Sequence, residues 1–138
     1  MGAITALIEA GARNTLGLTG TRSFAAYIAL SPQGTGSIFP PDAWSELRRP
    51  VLSLTGTRDN ELGGADWTTR TQPFQNMPPG CKWLGIIDGA THMNFAGKGR
   101  SRRTELLGTR AIAAFVNGIE RGDCRAPRLP RGIELRTR

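Results

Sequence analysis

A chain of 138 residues, 38% of them hydrophobic, has room for one domain with an ordinary core and is too apolar to be disordered throughout. No apolar run reaches membrane-spanning length, and the N-terminus lacks the basic, apolar and small-residue order of a signal peptide. One histidine and two cysteines exclude a metal site of the usual ligand spacing and a disulfide scaffold, while a formal charge of +7 raises nucleic acid or an anionic surface as partners.

Taken in chain order, residues 3–10 place Ile4, Leu7 and Ile8 on one helical face, and Gly11 follows as a stop. A buried amphipathic turn so near a free terminus is unusual, so the chain reads as one cut within a domain. Residues 13–23, rich in Thr, Gly and Arg, form a loop. Phe24–Leu30 is a continuous apolar run that suits a strand covered on both faces. Ser31 to Pro41 is a long Gly/Pro-rich loop leaving that strand, and Asp42 caps a short helix through Leu47.

Pro50 to Asp59 then reads as a buried strand, with Val51, Leu52 and Leu54 apolar, Thr55 β-branched and Gly56 breaking the pattern. Asp66–Gln72 is a weak helix that Pro73 ends or kinks, and Pro78-Pro79-Gly80 is a turn. Lys82–Ile87 gives a third strand. From about Ser101 to Arg121 runs a helix with Ile112, Phe115, Val116 and Ile119 on one face and Gly122 at its end. The alternation of helix and strand implies parallel strands joined by right-handed crossovers.

The positive charge concentrates late, in Lys98, Arg100, Arg102 and Arg103 and again from Arg121 to Arg138. No aromatic residue interleaves with the terminal run, which carries Pro127 and Pro130 and no regular period, so residues 124–138 read as a solvated basic tail. Charge alone supports weak binding to polyanions at low salt and no specific nucleic-acid recognition. Cys81 and Cys124 either pair, if the protein is exported, or stay as free thiols.

Asp59 and His92 each sit just past the end of a predicted strand, with room between them for one crossover and the return strand. Parallel neighbours bring both to the carboxyl edge of the sheet, where open α/β sheets carry their binding and catalytic groups. A carboxylate that accepts the imidazole Nδ1–H fixes the tautomer and leaves Nε2 to take a proton from a nucleophile. The plainer alternative makes Asp59 a capping residue of a Thr-Arg-Asp-Asn turn and His92 an isolated loop histidine.

Ser31-Pro32-Gln33-Gly34, Trp44, the strand ending in Thr55-Gly56-Thr57-Arg58-Asp59, Pro78-Pro79-Gly80-Cys81-Lys82-Trp83, and Gly89-Ala90-Thr91-His92-Met93-Asn94-Phe95 occur in an order that resembles the C-terminal half of an α/β-hydrolase. The resemblance is greatest to the dienelactone-hydrolase-like, chlorophyllase-like and polyester-hydrolase-like branch. It covers roughly residues 1–123 and implies a partial α/β-hydrolase fold: three parallel strands with flanking helices and the N-terminal half of the sheet missing.

That family places its nucleophile in a Gly-x-Ser-x-Gly elbow and orders its triad Ser, Asp, His. This chain contains no such motif, and Met1 to Leu7 resembles the residues that follow the nucleophile, with Gly2 as the elbow's last glycine. The resemblance therefore implies a serine immediately before Met1, Asp59 and His92 as its triad partners, and the Met1 backbone as part of the oxyanion hole. It implies a carboxylic ester as substrate, with Ser31, Pro32, Gln33, Phe39 and Trp67 lining its pocket, and neither metal nor organic cofactor. The expectation for this chain alone is near inactivity, with an exposed sheet edge open to self-association. The rival expectation is a non-enzymatic α/β domain that binds an anion or a partner through that edge and the basic tail, with Asp59 and His92 out of reach of each other.

Overall fold

The structure is a computed structural model that describes residues 1–138. Its centre is a four-stranded mixed sheet in the order β1-β2-β3-β4, built from Tyr27–Leu30, Val51–Arg58, Lys82–Thr91 and Ile133–Thr137. The first three strands are parallel, as the alternation of elements requires, and β4 pairs antiparallel with β3. The sheet is not closed, since β1 has a strand on one side only.

Helix α1, Gly2–Ala10, covers one face. Its Leu7 and Ile8 enter a core with Tyr27, Ala29, Trp44 and Val51, and Gly11 ends it at φ 113, a left-handed conformation that costs glycine little. Helix α4, Arg102–Arg121, covers the opposite face. There Ala111 and Phe115 pack on Leu52, Leu54 and Trp83, whose ring centroid lies 5.3 Å from that of Phe115. Because both faces are covered, β2 is buried from Val51 to Gly56 rather than alternating. Ser101 caps α4 by accepting from the Thr104 N–H, and Gly122 closes it in the left-handed region.

Several expectations need correction. Phe24 is largely exposed, so β1 begins only at Tyr27. Residues 41–46 form consecutive turns closed by i to i+3 bonds instead of a helix from Asp42, because Ala43, Trp44 and Leu47 all have to reach the core. Gly56 does not end β2. A Cβ there would lie 2.2 Å from the carbonyl oxygen of Ala90, so the glycine lets β3 approach closely where the register shifts between Gly56 and Arg58. Pro73 does not end a helix either. A 3₁₀ turn, Trp67–Thr71, leads into α2, Gln72–Asn76, with Pro73 in the first turn, where its missing N–H is harmless. Asp66 caps the 3₁₀ turn, and the Thr68 backbone and hydroxyl donors hold its carboxyl below the usual range.

The tail is the largest difference. Residues 124–132 have no regular structure, but Ile133 and Leu135 point into the core beside β3 while Glu134 and Arg136 face solvent. Cys124 is bonded to Cys81, with Cα atoms 5.4 Å apart, so the segment after α4 is tied to the start of β3. No helix is long and apolar enough to cross a membrane.

Candidate functional site

The first residue after β1 is Ser31, the first after β2 is Asp59 and the first after β3 is His92. Three adjacent parallel strands thus end at one edge and bring these side chains together. His92 is held there by its own turn: Thr91 caps the short helix α3, His92–Phe95, and the Asn94 side chain reaches back to accept the Thr91 N–H at 2.8 Å.

Asp59 is fully buried. Its Oδ2 accepts from Thr55 Oγ1 at 2.9 Å, and its Oδ1 accepts from Ser31 Oγ at 2.8 Å. The same Oδ1 lies 3.3 Å from His92 Nδ1 and 3.1 Å from Arg70 Nε. Ser31 Oγ in turn lies 2.8 Å from His92 Nδ1. A buried carboxylate needs a counter-charge or several donors, and this one has both.

Arg70, on the 3₁₀ turn, was not legible as a site residue. Its side chain is 6% exposed and its guanidinium donates to the backbone carbonyls of Asp59 at 2.9 Å, Ser31 at 3.3 Å and Pro32 at 3.4 Å. One side chain therefore fixes the two loop ends that carry Ser31 and Asp59. Nothing in Trp-Thr-Thr-Arg-Thr separates such a residue from a surface arginine, and only the fold reveals it.

A cleft of about 730 Å³ opens over the site. His92, Ser31 and Arg70 line one wall, Met1 and Gly2 at the start of α1 line another, and Leu30 and Phe95 supply apolar surface. Of the residues expected in a substrate pocket, Ser31 and Gln33 line this cleft. Pro32 is buried beneath it, its carbonyl held by Arg70. Phe39 belongs to the core against Trp44, and Trp67 packs on Phe74, Leu84 and Ile86, so neither reaches the cleft. No group of three His, Cys, Asp or Glu side chains is close enough to hold a metal ion.

Chemically, the arrangement is an imidazole whose Nδ1 side is tied to a buried carboxylate and whose ring, 37% exposed, opens to a cleft. Such a ring accepts and returns a proton at Nε2. No family model matches the chain, and no curated protein matches it either.

Proposed function

We propose that this chain is part of a serine hydrolase of the α/β-hydrolase class acting on carboxylic esters, with Asp59 orienting His92 and His92 serving as general base and then general acid. The observation that carries this reading is the cluster of Asp59, Ser31 and His92 at the carboxyl edge of three parallel strands, opening to a cleft that the start of α1 also lines. The rival reading, a non-enzymatic domain, expects Asp59 and His92 to be apart, and their 3.3 Å separation counts against it.

In this reading the nucleophile is a serine directly before Met1. It would enter the cleft at the head of α1, where no side chain caps the helix and the first N–H groups favour a developing negative charge. His92 takes the serine proton as the oxygen attacks the ester carbonyl, then returns a proton to the leaving alkoxide. Water repeats the sequence on the acyl-enzyme. The unpaired edge of β1 is the position for the strand that delivers that serine, and until it is filled the same edge supports pairing between copies of the chain.

The test begins with the reading frame upstream of the Met1 codon. Gly-x-Ser running directly into Met1 is expected, and a chain extended by that frame should label with a fluorophosphonate and hydrolyse 4-nitrophenyl esters. His92→Ala in the extended chain should lower kcat by about 10⁶-fold. An unrelated sequence upstream, or ester turnover by the 138-residue chain itself that His92→Ala abolishes, would refute the placement of the nucleophile.

A further inference from the structure

We infer that the hydroxyl of Ser31 is the link through which Asp59 holds His92, which makes Ser31 a positioning residue of the site; the inference rests on reading Asp59 and His92 as a working pair. The direct separation between the Asp59 carboxylate and the ring is 3.3 Å, whereas Ser31 Oγ is 2.8 Å from each of them. A carboxylate only accepts, so the single hydroxyl hydrogen goes to Asp59 Oδ1 and the Oγ lone pairs remain for the ring. The ring then donates Nδ1–H to Ser31, and Nε2 becomes its basic nitrogen. No covalent bond forms or breaks in the link. It sets the tautomer and the plane of the imidazole.

The backbone supports this assignment. Ser31 has φ 54, in the left-handed region that glycine occupies freely and that a side chain makes costly. A serine persists there under the Arg70 bond to its carbonyl, and the conformation turns its hydroxyl between the two partners. Ser31 is not a substitute nucleophile: it is 6% exposed, its hydrogen is committed to Asp59, and it faces Nδ1 rather than Nε2. The titratable groups near the ring are Asp59 after β2, 3.3 Å from Nδ1, and Arg70 on the 3₁₀ turn, Glu61 and the Met1 amine, which line the same cleft.

His92 is the only histidine, so ¹⁵N shifts of its ring in the full 138-residue chain can be read without ambiguity. The neutral ring of the unaltered chain should carry its proton on Nδ1. In Ser31→Gly and Ser31→Ala, exchange of that proton with water should quicken about tenfold, the worth of one such hydrogen bond, and the ring should move toward the Nε2–H form. Ser31→Gly suits the left-handed backbone, so it removes the hydroxyl without adding backbone strain. Asp59→Asn is the companion variant and should also disturb the ring. If both Ser31 variants keep the Nδ1–H form and its exchange rate while Asp59→Asn changes them, the link is refuted and the pair stands. A ring that ignores Asp59→Asn refutes the link and the pair together.

Discussion

Asp59 and Arg70 form a pair in which each is the other's compensation for lost hydration, since neither has more than 6% of its side chain exposed. Truncating one strands the other. Asp59→Ala should therefore lower the urea-derived stability by about 3–5 kcal/mol, and Arg70→Met by a similar amount. The double variant should fall short of the sum of the two by about 0.5–3 kcal/mol, as coupled groups do. Additive losses would mean that the two side chains act independently. At this scale Asp59 and His92 were legible because each comes within a few residues of the end of an apolar run, and strand ends are where sheet folds carry their chemistry. Ser31 follows such a run too, but its role depends on a left-handed φ and on the position of an imidazole far along the chain. Arg70 gave no signal, because its function is to collect carbonyls that only folding brings together.

The junction between β2 and β3 sets the distance between Asp59 and His92, and Gly56 is its narrowest point. Replacing it with alanine forces a methyl group against the Ala90 backbone, which cannot swing aside as a side chain can. Gly56→Ala should cost about 1–3 kcal/mol in a urea titration and shift the amide resonances of residues 57–59 and 90–92. A variant with unchanged stability and spectra would mean the strands separate freely there. The sequence marks Gly56 as a break because glycine usually weakens a strand. It marks close approach only once the partner strand is known. The elements with a clear apolar face, α1 and α4, were legible nearly to their ends. Strand β4 was not, since Ile133 and Leu135 alternate over only five residues among arginines, too short a run to outweigh the charge around it.

Across the whole molecule the buried cation most at odds with its surroundings is Lys82, at the end of the sheet away from the site. It has no exposed surface, and its ammonium donates to the carbonyls of Gly80 at 2.8 Å and Arg48 at 3.3 Å without a carboxylate partner. Burial, and then repulsion from Arg48, holds its pKa below the usual 10.5. In the window between that lowered value and 10.5 the unfolded chain binds more protons than the folded one, so this group makes stability rise with pH there. Below the window its full penalty is present. Relative to the unaltered chain, Lys82→Met should be at its best near neutral pH, and the difference should shift toward the unaltered chain as pH climbs through the window, measured by urea titration at several pH values. A difference that stays flat would mean Lys82 titrates alike in both states. The order of elements and the parallel core of the sheet were legible from the pattern of apolar runs. The sequence leaves the pairing of Cys81 with Cys124 open, because two cysteines so far apart along the chain are brought together only by the fold.

That bond also decides what becomes of a cut molecule. Lys98 and Arg100 are exposed in the connection between α3 and α4, and the two cysteines lie on either side of them. A single cut confined to that connection leaves residues before it, with Asp59 and His92, attached to a piece that carries α4 and β4. The severed protein should migrate as one band on a non-reducing gel and as two after thiol treatment. Once the backbone is cut between the two cysteines, a single band on a non-reducing gel reports the bridge and no longer the backbone.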